Sequence, residues 1–163
     1  MSDEIAIFKT KNLDQLLKAL KRSPPVARIG VLGSHATRTP AEGENPKQML
    51  NNAEIGAIHE YGSPVEGLPQ RSFLRVPITT HLGKAMEASE ALSPAVLAEV
   101  VKSGTILPWT EKVAIMATDI VGEAFATGGF GEWKQSNMDR KKVHMTLIES
   151  QQLRNSISYE VKE

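Results

Sequence analysis

Hydrophobic residues recur at helical spacing in five stretches of the chain and follow a strand-like pattern in three short ones. The helical stretches predict helices at 13–20, 53–61, 78–89, 94–101 and 108–128. Strands are predicted at 5–7, where the alternation is weak, at 26–32 and at 155–161, where apolar and polar residues alternate. Glycine and proline stand at the ends of most of these stretches, which supports the predicted boundaries.

Two further stretches, 34–52 and 130–144, are polar and have no apolar period. The first contains Pro40, Gly43 and Pro46, and the second contains Trp133 and the basic run 140–142. Segments that cannot bury apolar surface gain little from becoming ordered, so both are predicted to be flexible, exposed loops. Together these elements predict an α+β fold, in which a small antiparallel sheet is covered by amphipathic helices and two long loops are exposed. A length of 163 residues fits a single domain, 1–163.

The composition narrows the classes of function. Hydrophobic residues make up 40% of the chain and charged residues 23%, which is typical of a globular protein. Nineteen basic and nineteen acidic residues balance, so no overall charge draws the chain to DNA or to an anionic membrane. The absence of cysteine excludes disulfides and thiolate sites. The acidic start and the lack of a long apolar run predict a protein without an export signal or membrane span.

No segment has the spacing of a catalytic, cofactor-binding or metal site. The four histidines are scattered, and His59-Glu60 lacks the second histidine that a zinc-protease motif requires. Gly128-Gly129 follows a helix, as in a C-cap, and Pro64 after Ser63 is unsuited to a nucleophile elbow. We therefore predict no catalytic residue, no cofactor and no metal. A carboxylate pair assembled only by folding would leave no such pattern, so a small cytoplasmic enzyme stays open as an alternative.

Two segments stand out for their order of residues. The first runs from 52 to 62 (Asn-Ala-Glu-Ile-Gly-Ala-Ile-His-Glu-Tyr-Gly) and continues at 68–75 (Leu-Pro-Gln-Arg-Ser-Phe-Leu-Arg). The second runs from 147 to 159 (Leu-Ile-Glu-Ser-Gln-Gln-Leu-Arg-Asn-Ser-Ile-Ser-Tyr). Together they resemble the virion morphogenesis and tail-completion (neck) proteins of tailed bacteriophages, in which an acidic-aromatic-Gly triplet precedes Pro-x-Arg-x-Phe-Leu and a C-terminal Leu-x-Asp-Thr-Gly-x-Leu-x-x-Ser-Ile leads into a strand. The chain departs from that pattern at Gln151, where the family has glycine, so a differently built turn is expected there.

The resemblance implies a structural virion subunit that acts in tail completion or head-tail joining. It would form a ring at the head-tail junction, most naturally a hexamer, and contact adjacent neck or tail proteins and, in passing, the genomic DNA in the channel. Its expected location is the virion neck or tail, and the host cytoplasm during assembly, with no membrane partner. A tail terminator or minor tail protein is the alternative within the particle. A DNA-contacting module is an alternative of another class, and it would require lysines and arginines gathered on one face.

Eleven residues carry the expected structural and interaction roles. Phe73 is predicted to be core, Trp133 to be an aromatic anchor, and Glu60 to be the ion-pair partner of Arg71 and Arg75. The full set is Glu60, Tyr61, Gly62, Pro69, Arg71, Phe73, Arg75, Trp133, Leu153, Arg154 and Ser156.

Overall fold

The chain folds into helices around a two-stranded sheet. A computed structural model describes residues 2–40, 43–65, 67–89, 91, 93–127 and 151–163. Its helices are α1 (Ser2–Lys21), α2 (Asn52–Tyr61), α3 (Arg75–Ala88), α4 (Pro94–Ser103), α5 (Leu107–Thr127) and the short α6 (Gln152–Asn155). Strand β1 (Val26–Val31) pairs antiparallel with β2 (Ile157–Lys162), and a 3-10 turn covers Gly33–Ala36. The predicted α+β class is confirmed.

Helix α5 is the centre of the packing and contacts α3, α4 and both strands. Its inward face repeats every three or four residues, as a helix buried along one stripe requires. The buried residues on that face are Thr110, Ala114, Ala117, Val121, Ala124 and Phe125. Small residues along most of this stripe let the neighbouring elements approach the helix closely. Phe125 then fills the space at its C-terminal end against Phe73, with ring centroids 5.0 Å apart.

The sheet joins the two ends of the sequence. The register pairs Ala27 with Val161 and Val31 with Ile157, so alternate residues of both strands face α5. On the other face Arg28 forms an ion pair with Glu160 at 3.2 Å. Lys162, at the same distance from Glu160, is the main reason that the pKa of this carboxyl lies below its ordinary value. The strands predicted at 26–32 and 155–161 are thus confirmed, with β2 beginning two residues later than predicted.

The strand predicted at 5–7 is wrong, because those residues lie inside α1. An alternation over four residues is too short to distinguish a strand from the start of a helix. The strong helical period at 13–20 decides the matter, since an existing helix extends at little cost once its first turn has formed.

The stretch 34–52, predicted to be a flexible, exposed loop, makes several polar contacts in the structure. The 3-10 turn Gly33–Ala36 occupies its start, and polar contacts hold the part that follows. The amide of Gln152 pairs with both backbone groups of Thr39, at 2.6 and 3.2 Å. Arg38 donates to the carbonyl of Leu50 at 2.6 Å and forms an ion pair with Glu44. The second predicted loop, 130–144, lies outside the described residues, and so does Trp133.

Candidate interaction surface

The carboxylate of Glu60 lies at the start of α3 although it belongs to the end of α2. Its oxygens accept hydrogen bonds from the backbone N–H groups of Leu74 at 3.0 Å and Arg75 at 3.2 Å, and from the hydroxyl of Ser72 at 2.5 Å. The Ser72 oxygen in turn accepts from the N–H of Val76 at 3.0 Å. Helix N-termini leave several N–H groups without intrahelical partners, and a carboxylate there also interacts favourably with the helix dipole. Glu60 and Ser72 together therefore cap α3 in place of a local N-cap side chain.

The cap of α3 is buried, so its hydrogen bonds matter for the stability of the protein. Glu60 is only 5% exposed and Ser72 only 4%, so their polar atoms depend on these partners more than on water. Arg75 adds an ion pair with the Glu60 carboxylate at 3.6 Å, but its own side chain is mostly exposed, so this pair contributes modestly. The predicted pairing of Glu60 with Arg75 is confirmed, and the carboxylate's main partners are backbone and hydroxyl groups that the sequence did not suggest.

Arg71 is tied to the end of α2 through its backbone. Its N–H donates to the carbonyl of His59 at 2.7 Å. Burial lowers the pKa of Arg71, although a guanidinium stays protonated at any physiological pH. Together with the Glu60 cap, this contact fixes the direction in which the chain leaves α2 and returns to α3.

Between these two contacts the chain forms a small hairpin, in which Ser63 pairs with Leu68. Ser63 and Leu68 exchange two backbone hydrogen bonds of 2.9 Å, and Gly67 donates to the carbonyl of Pro64 at 3.2 Å. Gly62 ends α2 with φ 76°, and its N–H donates to the carbonyl of Ile58 at 2.7 Å. A Cβ at Gly62 would lie 2.8 Å from the backbone nitrogen of Gln70, so only glycine fits here.

The hairpin presents apolar side chains to solvent. Val65 is 94% exposed, Tyr61 70% and Leu68 42%, and Pro69 beside them is exposed as well. Scattered exposed apolar residues are ordinary on a protein surface, but here three large ones lie within eight residues on a hydrogen-bonded frame. We call Tyr61, Val65 and Leu68 the hairpin knob. Tyr61, Gly62 and Pro69 of the predicted set belong to this region, and Val65 and Leu68 were not singled out by the sequence.

The described part of the C-terminal segment begins at Gln151, the position where the family it resembles has glycine. Gln151 adopts the left-handed conformation, φ 55°, and among the described residues it alone does so without being glycine. A residue that carries a Cβ adopts this conformation at an energetic cost. After it, the hydroxyl of Ser156 donates to the carbonyl of Leu153 at 2.6 Å and closes α6.

The two segments singled out in the sequence meet in the core. Leu153 is 6% exposed and lies in the same hydrophobic cluster as Phe73, which is 2% exposed. They meet at Gly56 of α2: a Cβ there would lie 3.5 Å from Leu153 Cδ1 and 3.6 Å from Phe73 Cζ. Phe73 and Leu153 are thus packing residues, which confirms the prediction made for Phe73. Arg154 points instead to the surface and lines a groove.

That groove, about 470 Å³, runs between α5 and the segment around α6. Its polar lining includes Asp119 and Glu123, one turn apart on α5, and Arg154. Gly122 lies between the two carboxylates, and a Cβ there would meet no atom within 4 Å, so this side of the groove is open. The residues that line the groove belong to α5, α6 and β2, so the Glu60 cap takes no part in it.

In the described ranges, no three His, Cys, Asp or Glu side chains converge as metal ligands would. None of the helices described is long and apolar enough to cross a membrane.

Comparisons of the chain with protein-family models, with curated proteins and with solved structures yield no match.

Proposed function

We propose that this chain is a structural subunit of a tailed-bacteriophage particle, a tail-completion or neck protein that forms a ring at the head-tail junction. The observation that carries the proposal is the hairpin knob, three exposed apolar side chains: Tyr61 and Leu68 belong to the residues whose order resembles that family, and Val65 lies in the spacer between them. A subunit of this kind works by contact, so its function lies in exposed surfaces that suit a protein partner.

Rigidity of the knob supports a binding role. The pair of Ser63–Leu68 hydrogen bonds and the tight turn at Gly62 fix the backbone before any partner arrives. The Glu60 cap and the Arg71–His59 contact fix both ends of the hairpin on the core. A surface that is ordered in the free protein loses little conformational entropy on binding, which raises the affinity available from a small apolar patch.

The exposure of Val65 and Tyr61 is what a head-to-tail contact needs. In a ring each subunit offers one surface to the next subunit and receives a different one, and the contacts close around a rotation axis. A protruding apolar knob is suited to one half of such a contact. Sixfold symmetry is the natural expectation for a tail, and neighbouring neck or tail proteins would take up the remaining surfaces.

The test is complementation of a phage that lacks the gene, using knob variants. Val65→Asp and Tyr61→Ser place polar groups in the proposed contact and should reduce the yield of infectious particles at least tenfold, with unjoined heads and tails visible by electron microscopy. Because both side chains are exposed, the melting temperature of the purified variants should stay within about two degrees of the parent. Ile115→Asp, at an exposed apolar site on α5, is the matched control and should restore full titre.

Each outcome of the complementation test has a distinct meaning. Full titre with both knob variants would exclude the hairpin as a joining surface. Equal loss with Ile115→Asp would show that any exposed charge is harmful, which would also count against the knob. If the phage without the gene produced normal particles, the proposed function itself would be refuted.

A further inference from the structure

Helix α1 is oriented against the usual rule that apolar residues face the protein. Leu13, Leu17 and Leu20 are 55%, 44% and 58% exposed. The side that faces the fold carries Asn12, Gln15, Leu16 and Ala19, so two amides are half-buried while three leucines lie in solvent. Successive helical residues are rotated by about 100°, and the three leucines therefore form one stripe about 60° wide.

The position of α1 is set by its contacts with α4, which is its main neighbour among the described elements. Ala19 is 1% exposed in that contact, and Arg22 just after the helix donates to the carbonyl of Gly104, the C-cap of α4, at 3.3 Å. Turning α1 to bury the leucines would expose Ala19 and break this contact. The leucine stripe, Leu13, Leu17 and Leu20, is thus not covered by the residues that the structure describes.

The spacing of the stripe is that of a coiled-coil seam. Intervals of four and then three residues place Leu13 and Leu20 at d positions and Leu17 at an a position of a heptad. The flank at the g position carries Leu16, which is half-buried. The opposite flank, at the e positions, carries Asp14 and Lys21, both exposed and of opposite charge.

From this arrangement we propose that the leucine stripe is the interface of a two-fold dimer, in which α1 pairs antiparallel with α1 of a second copy of the chain. In a parallel pair the e flank of one helix faces the g flank of the other, where Leu16 offers no charge to Asp14 or Lys21. In an antiparallel pair the e flanks face each other. With Leu17 against the partner's Leu20, Asp14 lies opposite the partner's Lys21 and Lys21 lies opposite the partner's Asp14.

A second copy of the chain is the expected partner, because a two-fold axis places Asp14 and Lys21 of one copy opposite Lys21 and Asp14 of the other. Asp14 and Lys21 are seven residues apart, about 10 Å along the helix, so one reversal of direction brings each opposite its counterpart. The seam is short, and the interface is smaller than the roughly 800 Å² per partner of a stable complex, so the dimer is weak, with a dissociation constant in the micromolar range or above. It does not rest on the proposed function, since a two-fold contact on α1 and a head-to-tail contact at the hairpin occupy different surfaces.

The test is sedimentation equilibrium of the full chain over a range of concentrations up to roughly a millimolar, the range in which so small an interface associates. The parent should show a monomer-dimer equilibrium, and Leu17→Lys should raise the dissociation constant by at least tenfold. Asp14→Lys alone or Lys21→Asp alone turns both ion pairs into repulsions and should raise it by roughly tenfold. The double variant D14K/K21D should restore it to within about twofold of the parent.

Lys18→Asp is the matched control, because Lys18 is exposed on the same helix but away from the seam, and it should change the constant by less than about threefold. Circular dichroism of each variant checks that the fold is retained. If Leu17→Lys fails to fold, the charge variants at Asp14 and Lys21 still test the dimer. A chain that stays monomeric over the whole range, or a dimer insensitive to Leu17→Lys, would overturn the proposal. A double variant as weak as the single ones would overturn the antiparallel pairing.

Discussion

The carboxylate of Glu60 accepts a 3.0 Å hydrogen bond from the backbone N–H of Leu74, and this contact joins the end of α2 to the start of α3. The two residues are fourteen positions apart, with the whole hairpin between them. A buried acceptor on one helix thus determines where the next helix begins and how the hairpin knob is held. Four predictions concern this framework.

Replacement of Glu60 should destabilise the protein more than replacement of its ion-pair partner. Glu60→Gln keeps the shape but loses the charge at the helix N-terminus, and we expect a loss of roughly 1–3 kcal/mol in the free energy of unfolding. Arg75→Ala removes only the exposed half of the ion pair and should cost less than about 1 kcal/mol. Urea denaturation measures both. Equal losses for the two variants would mean that the cap contributes nothing beyond the ion pair.

Phe73→Ala should empty a site in the centre of the core. Phe73 is 2% exposed and contacts Phe125, so the loss should be roughly 3–5 kcal/mol, the usual range for a buried aromatic residue. Tyr61→Ala is the matched control at a 70% exposed aromatic site and should change stability by less than about 0.5 kcal/mol. An unchanged denaturation midpoint for Phe73→Ala would contradict its assignment to the core.

The two glycines of α2 and its C-cap should respond oppositely to alanine. Gly62→Ala forces a Cβ against the backbone of Gln70 at a positive φ, so we expect a loss of roughly 2 kcal/mol or more. At Gly56 a Cβ would make ordinary contacts with Phe73 and Leu153, and alanine favours a helix by about 1 kcal/mol over glycine. Gly56→Ala should therefore be neutral or stabilising. Thermal melts distinguish the pair, and a tolerated Gly62→Ala would show that the hairpin frame is not tight.

Gln151→Gly should stabilise the protein. Gln151 has φ 55°, and a side chain in this conformation costs about 1 kcal/mol that glycine avoids. Part of the gain is offset because glycine makes the unfolded chain more flexible, so we expect a net increase of about 0.5 kcal/mol. Gln151→Ala retains a Cβ and should bring no gain. If glycine were destabilising here, the side chain of Gln151 would have a role that its described contacts do not reveal.

Most elements could be predicted from the sequence because their signals are local. The apolar stripe of α5 and the alternation in β2 each span enough residues to define a period, and prolines and glycines mark several of the ends. The strand predicted at 5–7 failed because four residues do not define a period. The start of α3 was placed three residues late, because its capping carboxylate comes from Glu60, far away in sequence, and Ser72 was not recognised as the second capping group.

The interaction surface could be predicted only in part. The order of residues around Glu60 and Phe73 singled out the segment, but it did not distinguish the packing residue Phe73 from the exposed side chains of the hairpin knob. Nor did the period of α1 show which side of the helix faces the protein. An apolar stripe predicts burial, whereas Leu13, Leu17 and Leu20 are exposed in the part of the chain that the structure describes. The left-handed angle at Gln151 was missed because the residue type argues against it and only the surrounding structure imposes it.

The measurement that tests the central proposal most directly is an electron density map of the assembled phage particle at side-chain resolution. The account predicts a ring of copies of this chain at the head-tail junction, with the hairpin knob of each subunit buried against a neighbouring protein. A particle without this chain, or a ring in which Tyr61, Val65 and Leu68 remain exposed to solvent, would contradict it.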